Sequence, residues 1–153
     1  MKVCIDCDDA AVSLKKVIFD HLKSRGVEIT DLNYAGQKAN SYYGEIGYSL
    51  AKTIQAGQFD RGILICGTGL GMAMVANKVE GVFAGTCHDP FSAERLKKSN
   101  DANVLTMGER VIGPELAKMV VDAWLKSEFA GGGSAPKVEQ MRTLEQQSFH
   151  PKQ

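Results

Sequence analysis

Gly62-Ile63-Leu64-Ile65-Cys66-Gly67-Thr68-Gly69-Leu70-Gly71-Met72 is the stretch on which the fold turns. Its first part is apolar and β-branched, which predicts a buried strand. Met72 to Lys78 reads as helix. Between them, Gly67, Gly69 and Gly71 let the backbone turn sharply and approach a ligand closely. A strand that runs through such a turn into a helix gathers free amide N–H groups and the positive end of a helix dipole at one point. A thiol placed there, Cys66, is expected to have a lowered pKa and to act as nucleophile or base. Taken alone, a cysteine at a strand end is a small buried hydrophobe. The following Gly-Thr-Gly-x-Gly favours the functional reading. The glycines also resemble part of a dinucleotide fingerprint. They follow the third strand, however, not the first, and no acidic residue closes the next strand about 20 residues on.

Outward from this junction, strand and helix patterns alternate. Strands are predicted at 2–7, 27–32, 60–66, 82–87 and 103–106. Helices are predicted at about 10–25, from the end of a polar loop at 33–41 to about 56, at 69–78, from Pro90 to about Lys98, and from Pro114 to about Ser127. In the first helix Leu14, Val17, Ile18, His21 and Leu22 share one face. Asp89-Pro90 is an N-cap and N1 pair. Gly131-Gly132-Gly133-Ser134 reads as a hinge before a last, mostly polar helix at 136–147. Alternation of this kind implies a parallel sheet covered on both faces, an α/β fold with five strands. Such sheets bind ligands beyond the carboxyl ends of their strands. Asp8, Asp9, Cys66, His88 and Asp89 fall at that end. Ser99, Asn100 and Asp101 precede the fifth strand, so they fall at its amino end and would meet the site only across a subunit contact.

The chain has 153 residues, 44% hydrophobic and 24% charged, which is ordinary for one globular domain. Eighteen basic and eighteen acidic residues cancel, giving no basic excess for nucleic acid or an anionic membrane. No apolar run is long enough to span a bilayer, and the first strand begins without a signal-peptide core. Four cysteines without a framework pattern point to a reducing, cytoplasmic setting. Cys4 and Cys7 form a CxxC, but on a strand residues three apart face opposite sides, so they read as strand residues and not as a redox or metal pair.

Other candidates have competing readings. One of Asp8 and Asp9 can cap the first helix while the other binds a substrate hydroxyl. Thr68 places a hydroxyl inside the glycine loop, where it can pass a proton between neighbouring oxygens. His88 precedes a cap and is either a turn residue or an acid/base. Arg110 and Lys137 are phosphate contacts or simply solvated cations. Met72, Met74, Met107 and Met119 read as core filling.

Ile65-Cys66-Gly67-Thr68-Gly69-Leu70-Gly71, Ala76-Asn77-Lys78, Ser92-Ala93, Asn100-Asp101-Ala102-Asn103-Val104-Leu105 and Met107-Gly108-Glu109-Arg110-Val111-Ile112-Gly113 together resemble the ribose-5-phosphate isomerase B / galactose-6-phosphate isomerase family. The likeness covers nearly the whole chain. It implies a Rossmann-like three-layer α/β/α fold over residues 1–130. Residues 131–153 are then the hinge, C-terminal helix and tail of the same domain, reaching a partner subunit. It further implies a homodimer or dimer of dimers, no metal or other cofactor, and aldose–ketose isomerisation of a phosphosugar through a cis-enediol(ate). By this resemblance Cys66 moves the proton between C1 and C2, and the loop from Gly67 through Gly69 to Gly71 holds the enediolate oxygen. Thr68 helps protons move between the oxygens. Asp8, Tyr42 and Asn100 contact sugar hydroxyls, and Arg110 and Lys137 take the phosphate.

The departures from the family pattern bear on substrate. The pattern has Asp-His where this chain has Asp8-Asp9, and His-Asn where it has Ser99-Asn100. Of two arginines near the C-terminus, one position is Gly133 and the other Lys137. In the family the second histidine is credited with opening the furanose and the first with helping to bind phosphate, so Asp9 matches a phosphate contact in position only. Erythrose 4-phosphate cannot close a five-membered ring, because O4 carries the phosphate, and its isomerase needs no ring-opening histidine. Asn40-Ser41-Tyr42-Tyr43, His88-Asp89-Pro90-Phe91-Ser92-Ala93-Glu94-Arg95 and Ser99-Asn100 are also similar to the D-erythrulose-4-phosphate isomerase branch. The expected substrate is therefore that tetrose, with ribose 5-phosphate or another sugar phosphate as the alternative. A catalytically silent sugar-phosphate binding module is a further reading.

Overall fold

The structure, a computed structural model, describes residues 1–38 and 41–151. Residues 39–40 of the expected polar loop, and 152–153 of the tail, lie outside the described residues. The apolar runs form five strands: β1 (Lys2–Cys7), β2 (Glu28–Asp31), β3 (Arg61–Cys66), β4 (Ala84–Thr86) and β5 (Val104–Gly108). They lie in the order β2-β1-β3-β5-β4, and every pairing is parallel. Parallel neighbours need crossovers. These are supplied by α1 (Val12–Ser24), a one-turn α2 (Tyr34–Gln37), α3 (Tyr43–Gln55), α4 (Leu70–Ala76) and α5 (Pro90–Lys98), followed by α6 (Pro114–Leu125) and α7 (Ala135–Phe149).

The sheet separates two cores, as the three-layer reading requires. On one face Ile18 and Leu22 of α1, Ala93 of α5 and Trp124 of α6 pack on Val3, Ile5 and Ile65. On the other, Leu50 of α3 and Met72 and Ala76 of α4 pack on Cys4, Leu64 and Val104. Strand alternation thus sends Cys4 and Cys7 to opposite faces. Burial pushes both thiols up to about 12, and all four cysteines are free. No described helix is long and apolar enough to cross a membrane.

Several boundaries move from the expected ones for local reasons. The fourth strand begins at Ala84, not 82, because Val82 turns into the core and side chains take over the ladder. Asn103 Oδ1 accepts from Phe83 N–H at 2.9 Å and Asn77 Oδ1 from Ala84 N–H at 2.8 Å. The polar loop contains α2, held by Tyr34 N–H donating to the buried Asp6 carboxylate at 3.0 Å. Burial raises the Asp6 carboxyl above the ordinary range, and this bond opposes the rise. Met72 and Met107 are core residues, but Met74 and Met119 are exposed, correcting the expectation that all four fill the core. Met74 lies two positions from both Met72 and Ala76, and two residues on a helix is about 200°, the opposite face.

The chain leaves β1 outward to β2 and returns across β1 to β3. This reversal opens a crevice beyond the carboxyl ends of β1 and β3. Asp8 follows β1 and Cys66 ends β3, with Asp8 N–H donating to Ile65 O at 3.3 Å. Ser99, Asn100 and Asp101 precede β5 and sit at the opposite edge of the sheet. There α7 lies along its own chain. Arg142 pairs with Asp101 at 2.6 Å, and Gly81 N–H donates to Glu145.

Candidate active site

Cys66 is buried, 6% exposed, and its sulfur accepts a hydrogen bond from Gly69 N–H at 3.1 Å. The loop behind it is clamped against β5. Gly69 has φ +81°, and a Cβ there would lie 2.8 Å from the Met107 carbonyl carbon. Its carbonyl accepts from the buried Thr106 hydroxyl at 2.9 Å. The residues after β5 close the other side: Glu109 N–H donates to Cys66 O at 2.9 Å and Arg110 N–H to Gly67 O at 3.1 Å. Among the described residues, no backbone acceptor takes the N–H groups of Gly67, Thr68 or Gly71. Three donors are therefore left for a ligand beside the thiol.

Asp8, Tyr43, Cys66, Gly67, Thr68, Gly71 and Arg110 line a hollow of about 420 Å³. Asp8 and Tyr43 also line an adjoining cleft of about 740 Å³, with Asp9, Lys15 and Tyr42. Asp8 has two tasks. Its carboxylate caps the 3₁₀ turn Asp9–Ala11 by accepting from Ala10 N–H at 3.1 Å, and it faces the hollow. Burial raises its pKa, while the nearby Arg110 guanidinium pulls it the other way. The cap of α1 itself comes from Glu109, which accepts from Ser13 Oγ and from Leu14 N–H. Nothing in the local sequence marked that pairing, since its partners are 95 residues apart or more.

The expected site residues divide. Cys66, Thr68, Asp8, the three loop glycines and Arg110 come together. Tyr42 and Asp9 are exposed and line the neighbouring cleft. Tyr43 lines both hollows, its ring against Gly71, where an added Cβ would meet Cε2 at 2.6 Å. Adjacent tyrosines at a helix start look alike in sequence, so nothing local separates Tyr43 from Tyr42. Ser99 and Asn100 stay at the far sheet edge, and the exposed Lys137 on α7 lines neither hollow. Among the described residues, no group of three or more His, Cys, Asp or Glu side chains is placed to hold a metal ion.

A family model for ribose/galactose isomerases matches residues 3–141. The chain belongs to the ribose/galactose isomerase family. It is 50% identical to a D-erythrulose-4-phosphate isomerase of Pectobacterium atrosepticum, over 98% of this chain and 99% of that protein. It is 44% identical to a ribose-5-phosphate isomerase B of Listeria innocua, over 97% and 99%. The solved ribose-5-phosphate isomerase B of Clostridium thermocellum superposes with a TM-score of 0.90 at 42% identity, covering 97% of this chain and 99% of that one. The likeness inferred from the Cys66 loop and its companion motifs therefore extends to the whole ribose/galactose isomerase architecture.

The tightness of the Gly69 contact gives a test. Gly69→Ala places a Cβ against the Met107 backbone at a positive φ, so the loop must shift. Stability should fall by about 1–3 kcal/mol in urea unfolding. Displacement of Cys66 by about 1 Å should lower kcat/KM by about 10². An alanine variant with unmodified turnover would show that the loop position is not critical.

Proposed function

We propose that this sugar-phosphate isomerase interconverts D-erythrulose 4-phosphate and D-erythrose 4-phosphate. The observation that carries the choice of substrate is the absence of a lining histidine. Among the described residues, neither the Cys66 hollow nor the adjoining cleft is lined by one, and position 99 is serine. A cyclic pentose phosphate must be opened by an acid/base before it can isomerise. The tetrose phosphate has no furanose form. The 50% identity to the Pectobacterium D-erythrulose-4-phosphate isomerase supports the same choice.

In this reading the Cys66 thiolate takes a proton from C1 of the ketose, and the electron pair moves through C2 to its oxygen. The free N–H groups of Gly67, Thr68 and Gly71 stabilise the resulting cis-enediolate. The thiol returns the proton to C2 to give the aldose. Thr68 carries the compensating proton between O1 and O2. Asp8 and Tyr43 bind sugar hydroxyls, and Arg110 attracts the phosphate. The four unpaired thiols suit a reducing, cytoplasmic setting. The active assembly is a homodimer or dimer of dimers, in which Asn100 and Lys137 of one copy complete the site of the other.

Cys66→Ser keeps the shape but replaces the thiol by a hydroxyl. It should cost on the order of 10²–10⁴ in kcat, as loss of a general base does. A serine variant with near-normal turnover would remove Cys66 as the proton carrier. Mixing the inactive Cys66→Ser and Asn100→Ala chains under dissociating conditions should regenerate some activity, because a hybrid dimer holds one intact site. No recovery in verified hybrids counts against a shared site. On substrate, kcat/KM for D-erythrulose 4-phosphate should exceed that for ribose 5-phosphate by about a hundredfold, the scale of one acid/base step. Ser99→His should raise pentose activity more than tetrose activity. Equal turnover of the two sugars by the unmodified chain returns the assignment to ribose 5-phosphate.

A further inference from the structure

His88 lies between the end of β4 and Asp89, the residue whose carboxylate caps α5 through Ser92 N–H at 2.7 Å. Its ring is half-buried, and Nε2 sits 2.9 Å from the amide nitrogen of Gly108. An amide N–H can only donate, so Nε2 must be the unprotonated nitrogen of a neutral imidazole. Gly108 in turn touches the catalytic loop backbone to backbone. A Cβ at 108 would lie 2.5 Å from Thr68 Cα and 2.7 Å from Gly67 O. Gly108 is the register partner of Cys66 across the β3–β5 pairing, and the two residues after it are the ones bonded to Cys66 O and Gly67 O. One hydrogen bond from outside the β3–β5 pair therefore reaches the point where the thiol loop and the Arg110 arm meet.

We infer that His88 is a positioning residue for the isomerisation: by holding Gly108 N–H it sets Thr68 and Arg110 in place beside Cys66. Its effect on turnover rests on the isomerase reading; its grip on Gly108 does not. The charged neighbours are few. Asp89 adjoins it on its own loop. Glu109 and Arg110 follow Gly108, with Glu109 committed to Ser13 and Leu14 of α1. α4, which packs on β4 and β5, carries no charged residue, and Cys87 beside His88 is a thiol pushed up to about 11 by burial. Burial lowers the His88 pKa below the ordinary histidine value, with Asp89 opposing. The bond is therefore fully present above the unfolded value of about 6.5. It is lost as pH falls through the lower folded value, when Nε2 gains a proton and faces a second donor.

Full-length His88→Leu and His88→Gln variants test this. Leucine removes the acceptor, and glutamine supplies a non-titrating one. On the phosphosugar that the unmodified chain turns over, His88→Leu should lose about 10–100-fold in kcat/KM at neutral pH, the cost of misplaced catalytic groups. His88→Gln should stay within about threefold, an effect near the resolution of such comparisons. The unmodified chain should show an acid-side loss of kcat/KM that His88→Gln lacks. Imidazole ¹⁵N shifts should report Nε2 unprotonated at neutral pH, and Gly108 amide exchange should quicken in His88→Leu only. A fully active leucine variant, a glutamine variant as impaired as leucine, or a protonated Nε2 at neutral pH overturns the inference. If the chain turns over no phosphosugar, the isomerase reading fails, and the ¹⁵N shifts and Gly108 exchange still decide whether His88 holds the loop.

Discussion

The contact on which the site depends is backbone against backbone. The loop after β3 lies so close to β5 that neither Gly69 nor Gly108 has room for a side chain. Close packing of two main chains leaves no water between them, so the polar groups that face one another there need partners within the chain. Thr106 gives its hydroxyl to Gly69 O, and Glu109 and Arg110 give their N–H groups to Cys66 O and Gly67 O. The amides left over at Gly67, Thr68 and Gly71 are then the ones a substrate oxygen can use. The same close approach fixes the thiol and leaves these three donors without a backbone acceptor. A looser loop would satisfy those amides with solvent and lose the preorganisation that electrostatic stabilisation needs.

Around this contact the charges are arranged unevenly. Arg110 stands at one side of the Cys66 hollow, with no ion pair among the described residues. Asp8 lines both spaces, and the adjoining cleft adds Asp9, while its Lys15 is already paired with Asp31 at 2.9 Å. A dianionic phosphate is favoured near the free guanidinium and disfavoured near the carboxylates. Sugar hydroxyls, which can donate to carboxylates, suit the other side. In the proposed reading, Asp9 in place of a histidine would strengthen that polarity and press a phosphate toward Arg110.

Much of this was legible in the sequence where a feature depended on near neighbours. The β3 run, the glycine turn, the Asp89-Pro90 cap and the opposed faces of Cys4 and Cys7 follow from local periodicity and local hydrogen bonds. Features made by distant partners were not. Glu109 caps a helix nearly a hundred positions earlier in the chain, and Asn77 and Asn103 replace the first rungs of the fourth strand. His88 finds its partner 20 residues away on a different strand. Tyr43 is distinguished from Tyr42 only by the helix phase that brings it over Gly71. Met74 and Met119 look like core residues by composition alone, but helix phase leaves them exposed.

The length of the sheet bears on how the remaining residues can act. β5 runs from Val104 to Gly108, and at about 3.3 Å per residue it spans roughly 16 Å. Asn100 precedes its amino end, and Cys66 is paired with Gly108 at its carboxyl end. A four-carbon sugar phosphate is shorter than that separation, so one chain cannot place both residues on one substrate. The edge that carries Asn100 is also where α7 is anchored, through Arg142 and Asp101. If Asn100 acts at all, it acts on a neighbour's substrate, and α7 travels with it because the two are tied to the same edge. Lys137 on α7 would arrive by the same docking. The phosphate would then be held between Arg110 of one chain and a cation of the other, and the substrate itself would strengthen the contact between subunits.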